Sequence, residues 1–311
     1  MNPLERFLEK QGFVVLDGAL ATEMEKRGAD LDDPLWSATQ LFQAPELIRA
    51  VHLDYLHAGA DVIATATYQA SFEGFAGAGF SRDRAESLMR LSVDLAVLAR
   101  ETFWSSTDAR RGRLRPLVAA SIGPYGAILH DGSEYHGNYS IEKSALLDFH
   151  RARLEVLDDT EADLFAFETI PSMAEAEVLL EALADFPDRR AWISFSCKDG
   201  EHVSHGERFD ECAAAVNASA QIVAVGLNCT PPQYAVELLT SASALEIPLV
   251  CYPNSGEHWC AADNHWEGQG SREFPVSEWY RLGARLIGGC CRTGPDDIRR
   301  IRADLIESAE S

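Results

Sequence analysis

The sequence is poor in basic residues: 27 Lys and Arg stand against 49 Asp and Glu, which gives a formal net charge of −22 at pH 7. The acidic residues are scattered along the chain rather than gathered into one tail. Such a surface repels polyanions, so we expect neither nucleic acid nor an anionic membrane as a partner. We interpret the charge mainly as a solvated acidic surface. A more specific alternative is that it attracts small cationic substrates.

Long hydrophobic runs are also missing, and none approaches the ~18 apolar residues that a membrane-spanning helix needs. The N-terminal stretch MNPLERFLEKQG is polar and mixed in charge, unlike the apolar centre of a secretory signal peptide. We therefore expect a soluble, cytoplasmic protein. No stretch of low complexity divides the 311 residues, which predicts a single domain over residues 1–311.

Cysteine is confined to the C-terminal part of the chain, and none precedes Cys197. The seven cysteines are Cys197, Cys212, Cys229, Cys251, Cys260, Cys290 and Cys291. An odd number of cysteines, in a chain long enough to bury a large core, argues against a framework of disulfides. Metal binding or catalysis is the better explanation.

Short apolar or β-branched runs recur eight times along the chain. They begin near residues 13, 61, 117, 164, 191, 222, 248 and 284, and segments with helical apolar spacing lie between several of them, at 45–59, 82–103, 142–159 and 174–186. The runs are almost continuously hydrophobic, as parallel strands covered on both faces are. Eight such units predict an α/β fold, a (β/α)₈ barrel.

A doubly wound open sheet is the competing architecture. It would usually carry a glycine-rich phosphate-binding turn after its first strand, and here that strand ends in Asp17-Gly18-Ala19-Leu20. The first three units are longer than the later ones, so we expect loops 28–44, 69–81 and 123–140 over the mouth of the barrel. A further loop, 254–275, follows the seventh strand.

The carboxyl ends of the predicted strands, which face the active site in such barrels, are polar and rich in thiols. They carry Asp17, Thr67, Ser121, Glu168, Cys197, Asn228-Cys229, Asn254 and Cys290-Cys291. Adjacent residues of a regular strand point to opposite faces, so Cys290 and Cys291 can share a metal only where the chain leaves extended geometry. Gly288-Gly289 permits that departure.

The residues after the cysteine pair predict a helix start with Thr293 as its N-cap, whose dipole would favour a thiolate at Cys291. Three thiolates and one open position describe a catalytic zinc site. Cys229 and Cys197 both qualify by position as the third ligand. A strained vicinal disulfide and ordinary buried cysteines are the alternatives.

Four segments together resemble the homocysteine S-methyltransferase family: DGALATEMEKRG at 17–28, GLNC at 226–229, YPNSGE at 252–257 and GGCC at 288–291. The resemblance spans nearly the whole chain, and GGCC with an upstream NC is specific in combination. It is strongest to the shorter branch that uses S-methylmethionine, because the betaine-dependent branch carries a longer C-terminal extension.

The resemblance implies a (β/α)₈ barrel that binds Zn²⁺ through Cys229, Cys290 and Cys291. It implies transfer of a methyl group from a sulfonium donor to the thiol of L-homocysteine, giving methionine. S-Methylmethionine is the preferred donor and S-adenosylmethionine the next. No catalytic side chain is implied beyond the zinc-activated substrate thiol, and the partners are these small molecules, bound by a monomer or small homo-oligomer.

The resemblance also implies the homocysteine contacts. Asp17 and Glu168 correspond to the acids that hold its ammonium group, and the N–H groups of Gly18 and Ala19 would receive its carboxylate. Thr67 and Asn228 complete the pocket. Family members often have glycine at the position of Ala19, so a methyl group here lies near the substrate.

Three alternatives remain open at this point. A betaine-dependent homocysteine methyltransferase and a zinc- or thiol-binding barrel without turnover both use the cysteines. A glycosidase with Asp17 and Glu168 as its paired carboxylates does not use them. A donor sulfonium could also lie against an aromatic ring, for which Trp36 and Tyr68 are candidates.

Overall fold

The computed structural model describes residues 1–31, 35–129, 131–260, 265–268, 270–271 and 273–310. Its strands are β1 (Val14–Val15), β2 (Val62–Ala64), β3 (Leu117–Ile122), β4 (Leu164–Ile170), β5 (Ala191–Phe195), β6 (Ile222–Asn228), β7 (Leu249–Tyr252), β8 (His258–Cys260), β9 (His265–Glu267) and β10 (Ala284–Ile287). Its α-helices are α1 (Glu5–Gln11), α2 (Leu20–Glu25), α3 (Gln40–Gln43), α4 (Pro45–Ala58), α5 (Phe72–Gly77), α6 (Arg82–Ser105), α7 (Lys143–Asp158), α8 (Met173–Leu183), α9 (Phe209–Asn217), α10 (Ala235–Ala242), α11 (Val276–Arg281) and α12 (Pro295–Glu310). Short 3₁₀ helices span Trp36–Thr39, Tyr125–Ile128, Ser133–Tyr135 and Pro232–Tyr234.

Eight of these strands form one parallel sheet in the order β1-β10-β7-β6-β5-β4-β3-β2. Its two outer strands meet through a parallel bridge between Leu16 and Val62, and the Asp61 N–H donates to the Val15 carbonyl at 2.7 Å. The sheet therefore closes into the (β/α)₈ barrel that the sequence predicts. β8 and β9 pair separately, as an antiparallel hairpin in the connection after β7.

Side chains alternate between the barrel interior and the layer under the helices, because successive residues of a strand face opposite sides. On β4, Leu164 belongs to the interior cluster, whereas Phe165 and Phe167 belong to the cluster beneath the helices. Leu4 and Phe7, at the start of the chain, join the interior cluster and are fully buried. They fill the amino-terminal end of the barrel, which leaves its carboxyl end for the polar residues.

The helices predicted from apolar spacing are present as α4, α6, α7 and α8, and each begins within one residue of its predicted start. The Ser81 and Ser172 hydroxyls accept the backbone N–H groups of Arg84 and Glu175, so these serines cap α6 and α8. The barrel strands likewise begin within one residue of the predicted positions. None of the described helices is long and apolar enough to cross a membrane.

The predicted mouth loops are the long connections of the structure. Loop 69–81 contains α5, loop 123–140 contains two 3₁₀ helices, and loop 254–275 contains the β8–β9 hairpin. Parts of three predicted loops lie outside the described residues, namely 32–34 in loop 28–44, 130 in loop 123–140, and 261–264, 269 and 272 in loop 254–275.

Gly226 on β6 permits a close strand contact that we expect to matter for stability. A Cβ placed there would lie 1.9 Å from the Val250 carbonyl oxygen on β7. We expect Gly226→Ala to lower the free energy of unfolding by about 1–3 kcal/mol, the usual cost of overpacking, seen as a lower urea midpoint. Gly77→Ala is the matched control, because Gly77 on α5 has open space around it, and its midpoint should stay or rise slightly. Equal midpoints for the two variants would contradict this account.

Candidate metal centre and active site

Three cysteines meet at the carboxyl end of the barrel. The Sγ atoms of Cys229, Cys290 and Cys291 all lie within 4.8 Å of one another, and those of Cys229 and Cys291 are 3.4 Å apart. Cys197, the other candidate from position, is not in this group, and its buried thiol lies 3.9 Å from the Phe195 carbonyl oxygen. The structure therefore brings together the three thiols that the family resemblance implies as zinc ligands. We call them the thiol group.

Unusual backbone conformations direct these thiols to one place. Cys229 follows β6 directly and has φ 47°, and Arg292 has φ 69°. Both lie in the left-handed region, which residues other than glycine rarely adopt and which often marks functional sites. β10 ends at Ile287, and the Thr293 N–H then donates to the Cys290 carbonyl at 3.1 Å to close a turn. The departure from extended geometry that a shared site requires is thus present.

The adjacent glycines contribute close packing rather than a special backbone conformation. Neither Gly288 nor Gly289 has a positive φ. A Cβ at Gly289 would lie 2.2 Å from Thr293 Oγ1, and one at Gly288 would lie 2.6 Å from the Leu16 Cβ. The turn can therefore approach its neighbours only because both residues lack side chains.

The predicted N-cap at Thr293 is wrong. α12 begins at Pro295, and the Thr293 hydroxyl donates to the Cys290 carbonyl at 2.6 Å. Asp297 instead accepts the Gly294 N–H at 2.8 Å, which satisfies a donor at the start of the helix. The Thr293 hydroxyl is used to fix the turn of the thiol group.

The thiol group favours negative charge on Cys229. Hydrogen bonds from Cys290, Cys291 and the Tyr135 hydroxyl, whose oxygen lies 3.5 Å from the Cys229 sulfur, hold the pKa of Cys229 well below its usual range. The same shared hydrogen bonds raise the pKa values of Cys290 and Cys291. Thiolates are the soft ligands that zinc prefers, and three of them leave one position of a tetrahedral ion open to a substrate. The residues present therefore fit a catalytic metal of the zinc type.

Two carboxyl groups, the buried Asp17 and the partly buried Glu168, lie in the same mouth. Asp17 follows β1 and accepts the Ala64 N–H at 2.8 Å. Glu168 on β4 accepts the Ser121 hydroxyl and, at 3.0 Å, the Tyr252 hydroxyl. Burial raises the pKa of Glu168 to about 7, and burial together with the charge of Glu168 raises the pKa of Asp17 well above its usual range.

In the described part of the chain, no basic side chain shifts the pKa of either acid. Two neighbouring carboxyl groups in a desolvated place disfavour each other's charged form, and a bound cation would relieve this. The pair can therefore receive a small cationic group such as an ammonium.

Two further predicted pocket residues are held in networks within the protein. The Asn228 side chain accepts the Thr169 N–H at 2.6 Å, donates to the Thr169 hydroxyl at 2.8 Å and lies 3.9 Å from Cys290 Sγ. It thus connects the end of β4 to the thiol group. Thr67 donates to the carbonyl of Ser121 at 2.7 Å, and the hydroxyl of the same serine donates to Glu168.

The predicted carboxylate site around Gly18 and Ala19 is partly occupied. The Ala19 N–H donates to the Thr293 carbonyl at 3.1 Å, so in this structure it is not available to a substrate carboxylate. The Tyr55 hydroxyl contacts both the Ala19 and the Thr293 carbonyl oxygens, at 3.0 and 3.1 Å. A Cβ at Gly18 would lie 3.0 Å from the Thr293 oxygens. These contacts join the start of α2 to the cysteine turn, which periodicity could not show.

Sequence reasoning also missed how loop 123–140 is attached. Glu175 in the first turn of α8 accepts the Tyr125 N–H at 2.7 Å and the Tyr139 hydroxyl, and lies 2.9 Å from His150 Nε2. Burial raises the pKa of Glu175 to about 8 and lowers that of His150 well below its usual range, so we treat the pair as neutral. One buried side chain thus holds both ends of the segment that carries Tyr135 to Cys229.

The aromatic candidates lie at the same mouth. Trp36 and Tyr68 form an edge-to-face pair with ring centroids 6.1 Å apart. Burial, with the charges of Glu134 and Cys229, raises the pKa of Tyr68. The buried Arg153 donates to the Tyr68 carbonyl at 2.8 Å and so fixes the backbone that presents this ring.

The chain matches known proteins over nearly its full length. A family model described as homocysteine S-methyltransferase matches residues 14–305. The homocysteine S-methyltransferase YbgG of Bacillus subtilis (strain 168) is 47% identical over 307 residues, which cover 97% of this chain and 98% of that protein. Crystal structures of the homocysteine methyltransferase MmuM from Escherichia coli match in an oxidized form (TM-score 0.88, 46% identity) and a metallated form (TM-score 0.86, 45% identity), each covering 97% of this chain and 99% of that one.

The thiol group leads to a direct test of metal binding. We expect about one Zn²⁺ per chain to survive dialysis, and Cys229→Ser, Cys290→Ser and Cys291→Ser each to weaken binding at least ~10-fold, because serine is a poor ligand for zinc. Competition with a chromogenic chelator measures the affinity, and elemental analysis gives the stoichiometry. Cys212→Ala is the control, since Cys212 is buried on α9 and is not part of the thiol group. Unchanged affinity in the three serine variants would exclude the thiol group as the metal site.

Proposed function

This chain belongs to the homocysteine S-methyltransferase family and is an enzyme of that class, and we propose that it methylates L-homocysteine with S-methylmethionine at a zinc site formed by Cys229, Cys290 and Cys291. S-Adenosylmethionine is the second candidate donor. The observation that carries the proposal is the thiol group, which lies beside Asp17 and Glu168, two acids without a cationic partner among the described residues. The glycosidase alternative is excluded by the family, and it gives the cysteines no role.

The chemistry requires a thiolate. An alkyl thiol is mostly protonated at neutral pH, whereas its thiolate is the nucleophile. Zinc, when bound by three cysteine thiolates, would lower the pKa of the homocysteine thiol and supply that nucleophile at neutral pH. Tyr135 and Asn228, which lie 3.5 Å from Cys229 Sγ and 3.9 Å from Cys290 Sγ, would hold two of the three ligands in place.

The proposed reaction balances without a further co-reactant. The bond between the donor sulfur and its methyl group breaks as a bond from the homocysteine sulfur to that methyl forms, and the thiol proton passes to solvent. With S-methylmethionine the products are two molecules of methionine. The chain's main contribution is to position the two sulfur atoms on either side of one methyl group.

For homocysteine, we propose that Asp17 and Glu168 bind the ammonium group. Hydrogen bonds from the Ala64 N–H, Ser121 and Tyr252 already orient these carboxyl groups. The substrate carboxylate would be received at the N–H of Gly18, and at that of Ala19 only after it leaves the Thr293 carbonyl. Thr67 and Asn228 would shape the pocket through their bonds to the ends of β3 and β4.

Location and partners follow from the same features of the site. The thiol group would need a reducing compartment, because neighbouring thiols oxidise readily, and we therefore propose the cytoplasm as the location. We propose that the protein acts on small molecules alone, as a monomer or small homo-oligomer.

The first test is methionine formation from homocysteine with S-methylmethionine, S-adenosylmethionine or betaine. We expect product with the sulfonium donors, loss of product after chelation and recovery on addition of Zn²⁺. Mass spectrometry of the amino acids measures each arm. Product with betaine and with neither sulfonium would assign the chain to the betaine-dependent branch. Stoichiometric metal with no product from any donor would favour a binding protein without turnover.

The two acids provide a second test. Asp17→Asn and Glu168→Gln should raise the KM for homocysteine ~10-fold or more and change the donor KM little, because each removes a charge-assisted hydrogen bond to the ammonium. Since the pKa of Glu168 is about 7 in the free protein, the wild-type KM should also rise as the pH falls below 7.

In Glu168→Gln the KM for homocysteine should not rise in this way below pH 7 (the acid limb of the profile), because an amide does not titrate in this range. Glu161→Gln, an exposed change before the start of β4, is the control and should keep the wild-type profile. An acid limb that is identical in wild type and Glu168→Gln would assign the titration to another group.

A further inference from the structure

The proposed reaction places two amino acids in one mouth at the same time, and both homocysteine and S-methylmethionine carry an α-ammonium group. Asp17 and Glu168 account for one ammonium. The second needs an acceptor elsewhere beside the thiol group, since two like charges on one carboxylate pair would repel each other. Among the described residues, Glu134 meets this requirement by position and by chemistry.

Glu134 lies in the 3₁₀ helix Ser133–Tyr135 of loop 123–140, next to the tyrosine whose hydroxyl is 3.5 Å from Cys229 Sγ. Its backbone is fixed there: the Ser196 hydroxyl donates to the Glu134 carbonyl at 3.1 Å. The loop itself is held at both ends by Glu175. The segment that carries Glu134 is therefore anchored beside the thiol group.

The hydrogen bonding of Glu134 is incomplete. Its Oε2 atom is buried and has no hydrogen-bond partner among the described residues. No ion pair to Glu134 is present in the described part of the chain. A buried acceptor without a donor is unfavourable, and in native structures such atoms require an explanation. A ligand that supplies N–H donors would satisfy it.

The surroundings of Glu134 differ from those of the homocysteine acids. Burial, then the charges of Cys229 and Asp131, raises the pKa of Glu134 to about 7. Besides burial, the charge of Glu168 raises the pKa of Asp17, and the charge of Cys229 raises the pKa of Glu168. The charge of Cys229 thus acts on both Glu134 and Glu168.

We propose that Glu134 receives the α-ammonium group of the methyl donor and is a specificity-determining residue for that substrate. This inference rests on the proposed function. The ammonium is favoured over the sulfonium as its ligand because an ammonium has three N–H donors and a sulfonium has none, and the feature to be explained is an acceptor that lacks a donor.

Glu134→Gln tests the proposal, because the amide keeps the size of the side chain and removes its charge. Two donors are compared: S-methylmethionine, and 4-(dimethylsulfonio)butanoate, which has the same sulfonium and carboxylate but no amino group. For each, the KM or the inhibition constant is measured at saturating homocysteine. We expect Glu134→Gln to weaken S-methylmethionine about tenfold or more and the desamino compound less than twofold.

Glu142→Gln is the matched control, since Glu142 is an exposed residue close to the same loop and should leave both constants unchanged. The KM for homocysteine and the zinc content should also be unchanged in Glu134→Gln, which shows that the fold and the thiol group are intact. Equal weakening of both compounds, or no weakening of S-methylmethionine, would overturn the assignment.

The failure of this inference can be separated from the failure of the proposed function. If wild type forms no methionine from any sulfonium donor, the proposed function fails, whatever Glu134 does. Titration calorimetry of S-methylmethionine into the zinc-loaded protein, without homocysteine, then still compares wild type with Glu134→Gln. Equal affinities in that titration would overturn the role of Glu134 as well.

Discussion

The close approach of three thiols is the constraint on which the rest of the site depends. Two come from the turn after β10 and one from the end of β6, and β7 lies between these strands in the sheet. Their meeting requires left-handed backbone at Cys229 and Arg292, an arrangement that other residues must stabilise. Thr293, Asn228 and Tyr135 supply the hydrogen bonds. The three thiols are thus brought together by hydrogen bonds and turns within the fold.

Around this group the mouth contains acidic side chains whose charge has no basic partner in the described structure. In Asp17, Glu168 and Glu134 burial is the largest influence, and it raises the pKa of each. Such a site favours ligands that bring their own positive charge, because an ammonium stabilises the carboxylate that burial disfavours. The preference is local, so the net charge of the whole chain could suggest cationic substrates without locating them.

Sequence patterns were sufficient for the barrel, because its strands and helices depend on local rules. Position at a strand end did not distinguish Cys229 from Cys197 as the third thiol, and only the family resemblance favoured Cys229. Apolar runs located the strands to within one residue, and the position of Cys229 and Cys290-Cys291 at strand ends placed them at the mouth. What the sequence did not predict is contacts between distant segments. Nothing near Thr293 in sequence shows that its carbonyl occupies the Ala19 N–H, and nothing in loop 123–140 shows that Glu175 holds it. Loops have no periodicity, so their anchors become visible only in the folded chain.

The side chain that holds loop 123–140 in place is not one of those that set the charge at the mouth. Glu175 holds both ends of the segment through hydrogen bonds, and the opposite pKa shifts of Glu175 and His150 favour the neutral form of each. A charged anchor would add its own field to the mouth, close to the acids and thiols. With a neutral anchor, the field at the mouth is set by the acids and thiols themselves.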